Sequence, residues 1–157
     1  MRTAAPALIL ALAVPAAALS QPASVPLDSA VVEACLAQTP PRETQTDCIG
    51  LAAKLCQTAP DGETTLGISA CLMAEHDAWD EILNREYAET RAHFSQTRGL
   101  TDTLLAAQRA WIAFRDAECT LAYDRWDGGS MRTIASADCR MRQTARRALE
   151  LRAMRQP

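Results

Sequence analysis

The sequence predicts an all-α fold: a small helical bundle of about five helices, three of them long, stapled by disulfides. Apolar residues recur at steps of three, four and seven over most of the chain, the period of a helix that buries one face. No stretch of useful length alternates polar and apolar residues as a half-buried strand does. Helix breakers punctuate the pattern at Pro40-Pro41, Pro60-Asp61-Gly62, Gly99 and Gly128-Gly129, which sets the number of elements.

Arg2, the uncharged apolar run Ala4 to Val14 and the small residues through Ala18-Leu19-Ser20 read as a secretory signal peptide over residues 1–20. The run is shorter than the roughly 20 residues that cross a bilayer, so no membrane anchor is expected. Residues 21–27, with two prolines and no charge, form an extended leader. Asp28 or Ser29 caps a short helix through Val31, Val32, Cys35 and Leu36 that Pro40-Pro41 ends, and a second short helix is expected over Asp47 to Gln57. Beyond Glu63-Thr64-Thr65, the residues Ile68, Leu72, His76, Trp79, Leu83, Tyr87 and Phe94 share one face of a long helix closed by Arg98-Gly99. A fourth helix starts at Thr101 or Asp102, with Leu104, Gln108, Trp111, Arg115 and Leu121 as its inner stripe and Phe114 beside it. The fifth follows the Asp127-Gly128-Gly129-Ser130 turn and carries Ile134, Met141, Ala145 and Leu149. Residues 21–64 are expected to form an N-terminal disulfide-tied extension and 65–157 the main helical domain. The three long helices are expected to pack antiparallel, the third and fourth supplying most of the large apolar surface.

The chain has 157 residues, 48% hydrophobic and 22% charged, enough for one modest core. Loss of Arg2 with the leader leaves 15 basic and 19 acidic residues, a net charge of −4, which argues against a nucleic-acid partner. All six cysteines survive that loss. In an exported chain an even count reads as disulfides, and the product is expected to be periplasmic or secreted. The first cysteine, Cys35, lies far beyond the cleavage region, where a lipid anchor would need one.

Six cysteines admit 15 pairings. Helix order favours bridges between successive helices: Cys119 with Cys139 across the Gly-Gly turn, Cys56 with Cys71 across Pro60-Gly62, and Cys35 with Cys48 around Pro40-Pro41. The chain-entropy model assigns roughly 3 kcal/mol to each. A zinc site through Cys48, Cys56, Cys71 and a histidine competes poorly, because no C-x-x-C pair is present.

Catalytic chemistry finds little material. His76 and His93 are seventeen residues apart, and Glu89-x-x-x-His93 stands without the paired Glu-x-x-His motifs of a di-metal bundle. No catalytic residue, metal or cofactor is expected, and the protein is read as a non-enzyme; His76 belongs at the core edge beside Trp79 or Asp80.

Two segments are more specific. Cys71-x8-Asp80-x2-Leu83-Asn84-x2-Tyr87 precedes Ala107-Gln108-Arg109-Ala110-Trp111-Ile112-x-Phe114-Arg115-Asp116-x2-Cys119, with Gly128-Gly129 and Cys139 beyond. Over about residues 65–152 this pattern resembles the LprI-like domain, a family of exported helical proteins named for a lysozyme inhibitor. The resemblance implies an exported domain and, as a partner, a lysozyme-type glycosidase. Another protein of the cell envelope, bound for structure or assembly, is the alternative partner.

The motif residues Asp80, Asn84, Tyr87, Gln108, Trp111 and Arg115 are read as scaffold. Arg115 on the fourth helix is expected to form a buried pair with Asp80, with Gln108 or Asn84 completing the hydrogen bonds. Partner binding is assigned instead to Tyr123–Ser130, tethered by Cys119 and Cys139. A lysozyme cleft works through two carboxylates, and Arg125, Trp126 and Ser130 offer donors and an aromatic anchor, Trp and Arg being enriched at binding hot spots. Arg109 is a second candidate. Residues 21–108 carry a net charge of −8 and 109–157 of +4, so an acidic half can steer a cationic partner.

Overall fold

The structure is a computed structural model, and it describes residues 27–157. The expected signal peptide, its cleavage region and all but the last residue of the leader lie outside the described residues. Five α-helices follow one another: α1 (Ser29–Gln38), α2 (Leu51–Cys56), α3 (Thr65–His93), α4 (Leu100–Asp124) and α5 (Met131–Ala153), with a 3-10 turn at Phe94–Gln96 after α3. No strand occurs among the described residues.

Local chemistry explains the boundaries. The Asp28 carboxylate accepts from the Ala30 N–H at 3.0 Å to start α1, and the Thr64 hydroxyl accepts from the Gly67 N–H at 3.0 Å to start α3; both satisfy donors a helix start leaves unpaired. Gly67 lies so close to the Asp61 carbonyl that a Cβ there would overlap it, so the first turn of α3 can sit on the preceding loop only with glycine. The second helix is shorter than the Asp47–Gln57 span expected. It begins at Leu51 because Gly50, at φ 93°, turns the chain in the left-handed region just before it.

The core centres on α3 and α5. Trp79, Ile82 and Leu83 of α3 meet Met141, Leu149 and Leu151 of α5, all buried. The small residues Ala137, Ala145 and Ala148 are buried in the same cluster, which lets two helix backbones approach closely. Ser69 donates to the Thr133 carbonyl at 3.5 Å near one end, and Thr90 to the Leu151 carbonyl at 2.8 Å near the other. Both helices therefore advance in the same direction, so the principal pairing is parallel, while α4 and α5 pack antiparallel across their short connection as expected. The α4 helix runs back between them in sequence but docks on α5, from which Cys139 reaches Cys119 and Arg147 reaches Gln108.

That arrangement corrects the division of apolar surface. Only Leu104, Gln108 and Cys119 of α4 are buried, while Phe114 is 54% and Leu121 61% exposed. A helix packed against a single neighbour buries one narrow stripe, and these two side chains point away from it.

Three disulfides tie the bundle: Cys35–Cys48, Cys56–Cys71 and Cys119–Cys139. Two polar anchors add to them. The Glu75 carboxylate, fully buried on α3, accepts from the backbone N–H of Gly50 at 2.7 Å and Ala53 at 2.6 Å and from the Trp79 indole at 3.0 Å, fastening α2 to α3. Arg155, just past α5, donates to the Glu86 and Glu89 carboxylates at 2.5 and 2.8 Å and to the Thr90 hydroxyl at 2.9 Å. Arg85 makes a bidentate bond to Glu33 of α1 at 2.8 and 3.1 Å. That bond holds the Arg85 proton more tightly than usual, though the pair is exposed enough to contribute little to stability.

Candidate functional site

The end of the α4–α5 hairpin is the most distinctive exposed feature of the molecule. After α4 stops at Asp124, the Asp127 N–H donates to the Asp124 carbonyl at 3.1 Å and the Gly129 N–H to the Trp126 carbonyl at 2.8 Å, closing a tight turn. Asp127 at φ 42° and Gly128 at φ 80° both lie in the left-handed region, which Asp tolerates and Gly adopts without cost. A Cβ on Gly128 would meet nothing within 4 Å, so the tip stands free of the bundle.

The base of this turn is fixed twice. Cys119–Cys139 locks α4 to α5, and the Arg132 guanidinium of α5 lies over the Tyr123 ring of α4, 5.1 Å from its centroid. The turn presents Arg125, Trp126 and Ser130, all exposed. Trp126 is 39% exposed and carries the Arg125 guanidinium over its ring at 5.9 Å. The indole therefore stands at the surface rather than folding into the core. Such a cation–aromatic pair on a covalently closed turn is a preorganised element that can bind with little loss of side-chain freedom. Arg109 is also exposed, but it stands sixteen residues before Arg125, about 24 Å along the helix at 1.5 Å per residue. The structure does not join it to the turn.

The motif residues form a different cluster from the one expected. Asp80 accepts from Asn84 one turn later on its own helix at 3.1 Å, so Arg115 and Asp80 do not pair. The reason is topological: α4 packs on α5, not on α3. Arg115 instead donates from Nε and Nη2 to Asp116 at 3.1 and 2.9 Å and lies over the Trp111 ring at 5.1 Å. Asp116 also accepts from Arg140 of α5 at 3.3 Å. Gln108 accepts from Arg147 Nε at 3.0 Å, and that guanidinium reaches Glu150 at 3.0 Å and lies 6.0 Å from Trp111. Trp111 thus has two arginines over its ring, one from its own helix and one from α5. Tyr87 is half-buried against the core.

Because Arg115 has a partner exposed on its own helix, Arg115→Ala should cost only about 1 kcal/mol rather than the 3–5 kcal/mol of a broken buried pair. Urea denaturation of the single variant measures this, and a loss at the larger value would restore a buried role for Arg115.

His76 is half-buried, its Nδ1 2.9 Å from the Asp77 carboxylate rather than bonded to Trp79 or Asp80. His93 is exposed, its ring 5.4 Å from that of Phe94, and Glu89 is engaged by Arg155. All six cysteines are in disulfides. Among the described residues no group of three His, Cys, Asp or Glu side chains could hold a metal ion, and no helix is long and apolar enough to cross a membrane.

Sequence reasoning missed Glu75, Arg147 and Arg155, the polar groups that lock helices together. The signal for Glu75 is a lone acid at helical spacing between Leu72 and Trp79, where a solvated charge does not belong.

A protein of Rhizobium meliloti (strain 1021), R02472, described as uncharacterized, is 29% identical over 119 residues, covering 67% of this chain and 86% of its own length. No solved structure matches the chain. The family model for the lysozyme inhibitor LprI matches residues 56–151, which takes in α3, α4, nearly all of α5 and the hairpin end between the last two. The chain belongs to the LprI lysozyme inhibitor family.

Proposed function

We propose that this chain is an exported inhibitor of a lysozyme-type glycosidase and that the turn Arg125–Ser130 is the element it inserts. The family match across residues 56–151 carries the reading. The shape of the hairpin end supports it: a free tip, an exposed Trp126 under Arg125, and a base closed by Cys119–Cys139. The enzyme's cleft is lined by two carboxylates, and Arg125 with the Ser130 hydroxyl can donate to them while Trp126 fills an apolar subsite. The protein acts by occlusion, not by catalysis. The three disulfides support an oxidising compartment, in keeping with a periplasmic or secreted location and cleavage of residues 1–20. The −8 charge of residues 21–108 speeds encounter with a cationic enzyme.

Oxidised protein spanning residues 21–157 should slow the clearing of a peptidoglycan suspension by at least one lysozyme type. Absence of inhibition for every type, at large molar excess, would refute the target. Arg125→Ala and Trp126→Ala should each weaken inhibition about 30-fold, the scale of a 2 kcal/mol hot spot, with the melting temperature nearly unchanged. A parallel loss of stability would place both residues in the fold instead.

A further inference from the structure

Residues 45–54 precede the family match, and together with α5 they wall a cavity of about 460 Å³ lined by Gln45, Asp47, Ile49, Lys54, Arg142 and Arg146 among others. Three of those side chains are cationic. Lys54 comes from α2, and Arg142 and Arg146 are one turn apart on α5. Arg142 donates from Nε to both oxygens of Asp138 at 2.8 and 2.9 Å. Its stem is thereby held while both terminal amino groups stay uncommitted among the described residues. Lys54 and Arg146 make no hydrogen bond or ion pair among the described residues, and Asp47, the one acid in the lining, lies within 4.0 Å of none of the three cations.

The scaffold under these charges is rigid. Cys56–Cys71 and the Glu75 carboxylate fix α2, and Cys35–Cys48 fixes the preceding loop, where the Thr46 hydroxyl bonds its own chain. Asp138 offsets the charge of Arg142, but Lys54 and Arg146 remain unpaired beside it among the described residues, and a bound anion relieves the repulsion between those two cations. A flat carboxylate presents two oxygens, which a single arginine fork satisfies. A tetrahedral oxyanion presents oxygens in several directions, which suits one lysine and two arginines approaching from two elements.

We infer that this cavity binds a phosphate-class oxyanion, free or carried on an anionic lipid headgroup, with Lys54, Arg142 and Arg146 as its ligands and Asp47 as the group that limits affinity. This gives the N-terminal extension a task separate from glycosidase inhibition.

Titration of the oxidised protein with inorganic phosphate, followed by backbone amide shifts, should give saturable changes at residues 45–54 and 142–146, with acetate at equal ionic strength much weaker. Cosedimentation with phosphatidylglycerol vesicles, against phosphatidylcholine vesicles, tests the lipid source. The double variant Lys54→Gln/Arg146→Gln, changed at exposed positions, should keep the native spectrum and lose about tenfold or more in affinity, two solvent-screened charges being removed. Asp47→Asn should tighten binding. Saturable phosphate shifts without vesicle binding assign a free oxyanion, and vesicle binding lost in the double variant assigns a headgroup. Response to neither probe, equal response to acetate, or unchanged binding by the double variant overturns the site.

Discussion

Glu75→Ala should lower the unfolding free energy by about 3–5 kcal/mol, a large share of the stability of a domain this size. Three donors converge on that carboxylate: the Gly50 and Ala53 N–H groups and the Trp79 indole N–H. Truncation leaves all three without their partner, and each unsatisfied buried donor costs about 1–3 kcal/mol. Glu75→Gln should fall between. An amide oxygen can keep the two bonds that Oε1 accepts from Gly50 and Trp79, but its NH2 group then faces the Ala53 N–H, donor against donor. Guanidinium denaturation of the oxidised variants orders them wild type, Gln, Ala. A Gln variant as stable as wild type would show that the second oxygen, and its bond from the Ala53 N–H, contributes nothing to holding α2.

Arg155→Ala should cost a similar 3–5 kcal/mol although the residue lies in the last three positions of the chain. Chain ends ordinarily fray. Here the guanidinium caps the far end of the parallel pair, meeting Glu86, Glu89, Thr90 and the Glu86 carbonyl at 2.5–3.1 Å. Glu86 is buried, and removal of Arg155 leaves its charge uncompensated. The double variant Arg155→Ala/Glu86→Gln should therefore be less destabilised than the two single losses added together, with a coupling of about 1–3 kcal/mol. Strict additivity across the cycle would show that the two groups do not depend on each other.

Helix positions were legible in the sequence because they follow from local chemistry. The step pattern from Ile68 to Phe94 marks α3, and Pro40-Pro41, Gly62, Gly99 and Gly128-Gly129 stand in the connections between helices. Each cysteine pairs with the next in chain order, which short connections between successive helices make the low-entropy choice. What periodicity cannot convey is which neighbour receives a face. The stripe Leu104, Gln108, Trp111, Arg115 reads equally well as a contact with α3 or with α5, so sequence alone does not separate Asp80 from the adjacent Asp116 as the partner of Arg115. The importance of α5 was hidden for a related reason. Its six arginines between Met131 and Ala153 disguise a buried seam in which Met141, Leu149 and Leu151 supply the bulk and Ala137, Ala145 and Ala148 allow close approach. At the candidate site the exposed turn was readable from Asp127-Gly128-Gly129 and its flanking cysteines, whereas the Arg132–Tyr123 contact at its base joins residues on two helices and needed the fold.

The parallel pairing of α3 with α5 makes α4 a return strut. A chain that lays two helices side by side in the same direction must travel back their full length between them, and the 25 residues of α4 cover about 37 Å at 1.5 Å per residue. Its length is thereby constrained even where its side chains face solvent. The order of chain synthesis matters too. Trp79, Ile82 and Leu83 are made long before Met141, Leu149 and Leu151, so the central seam closes only once α5 has been added.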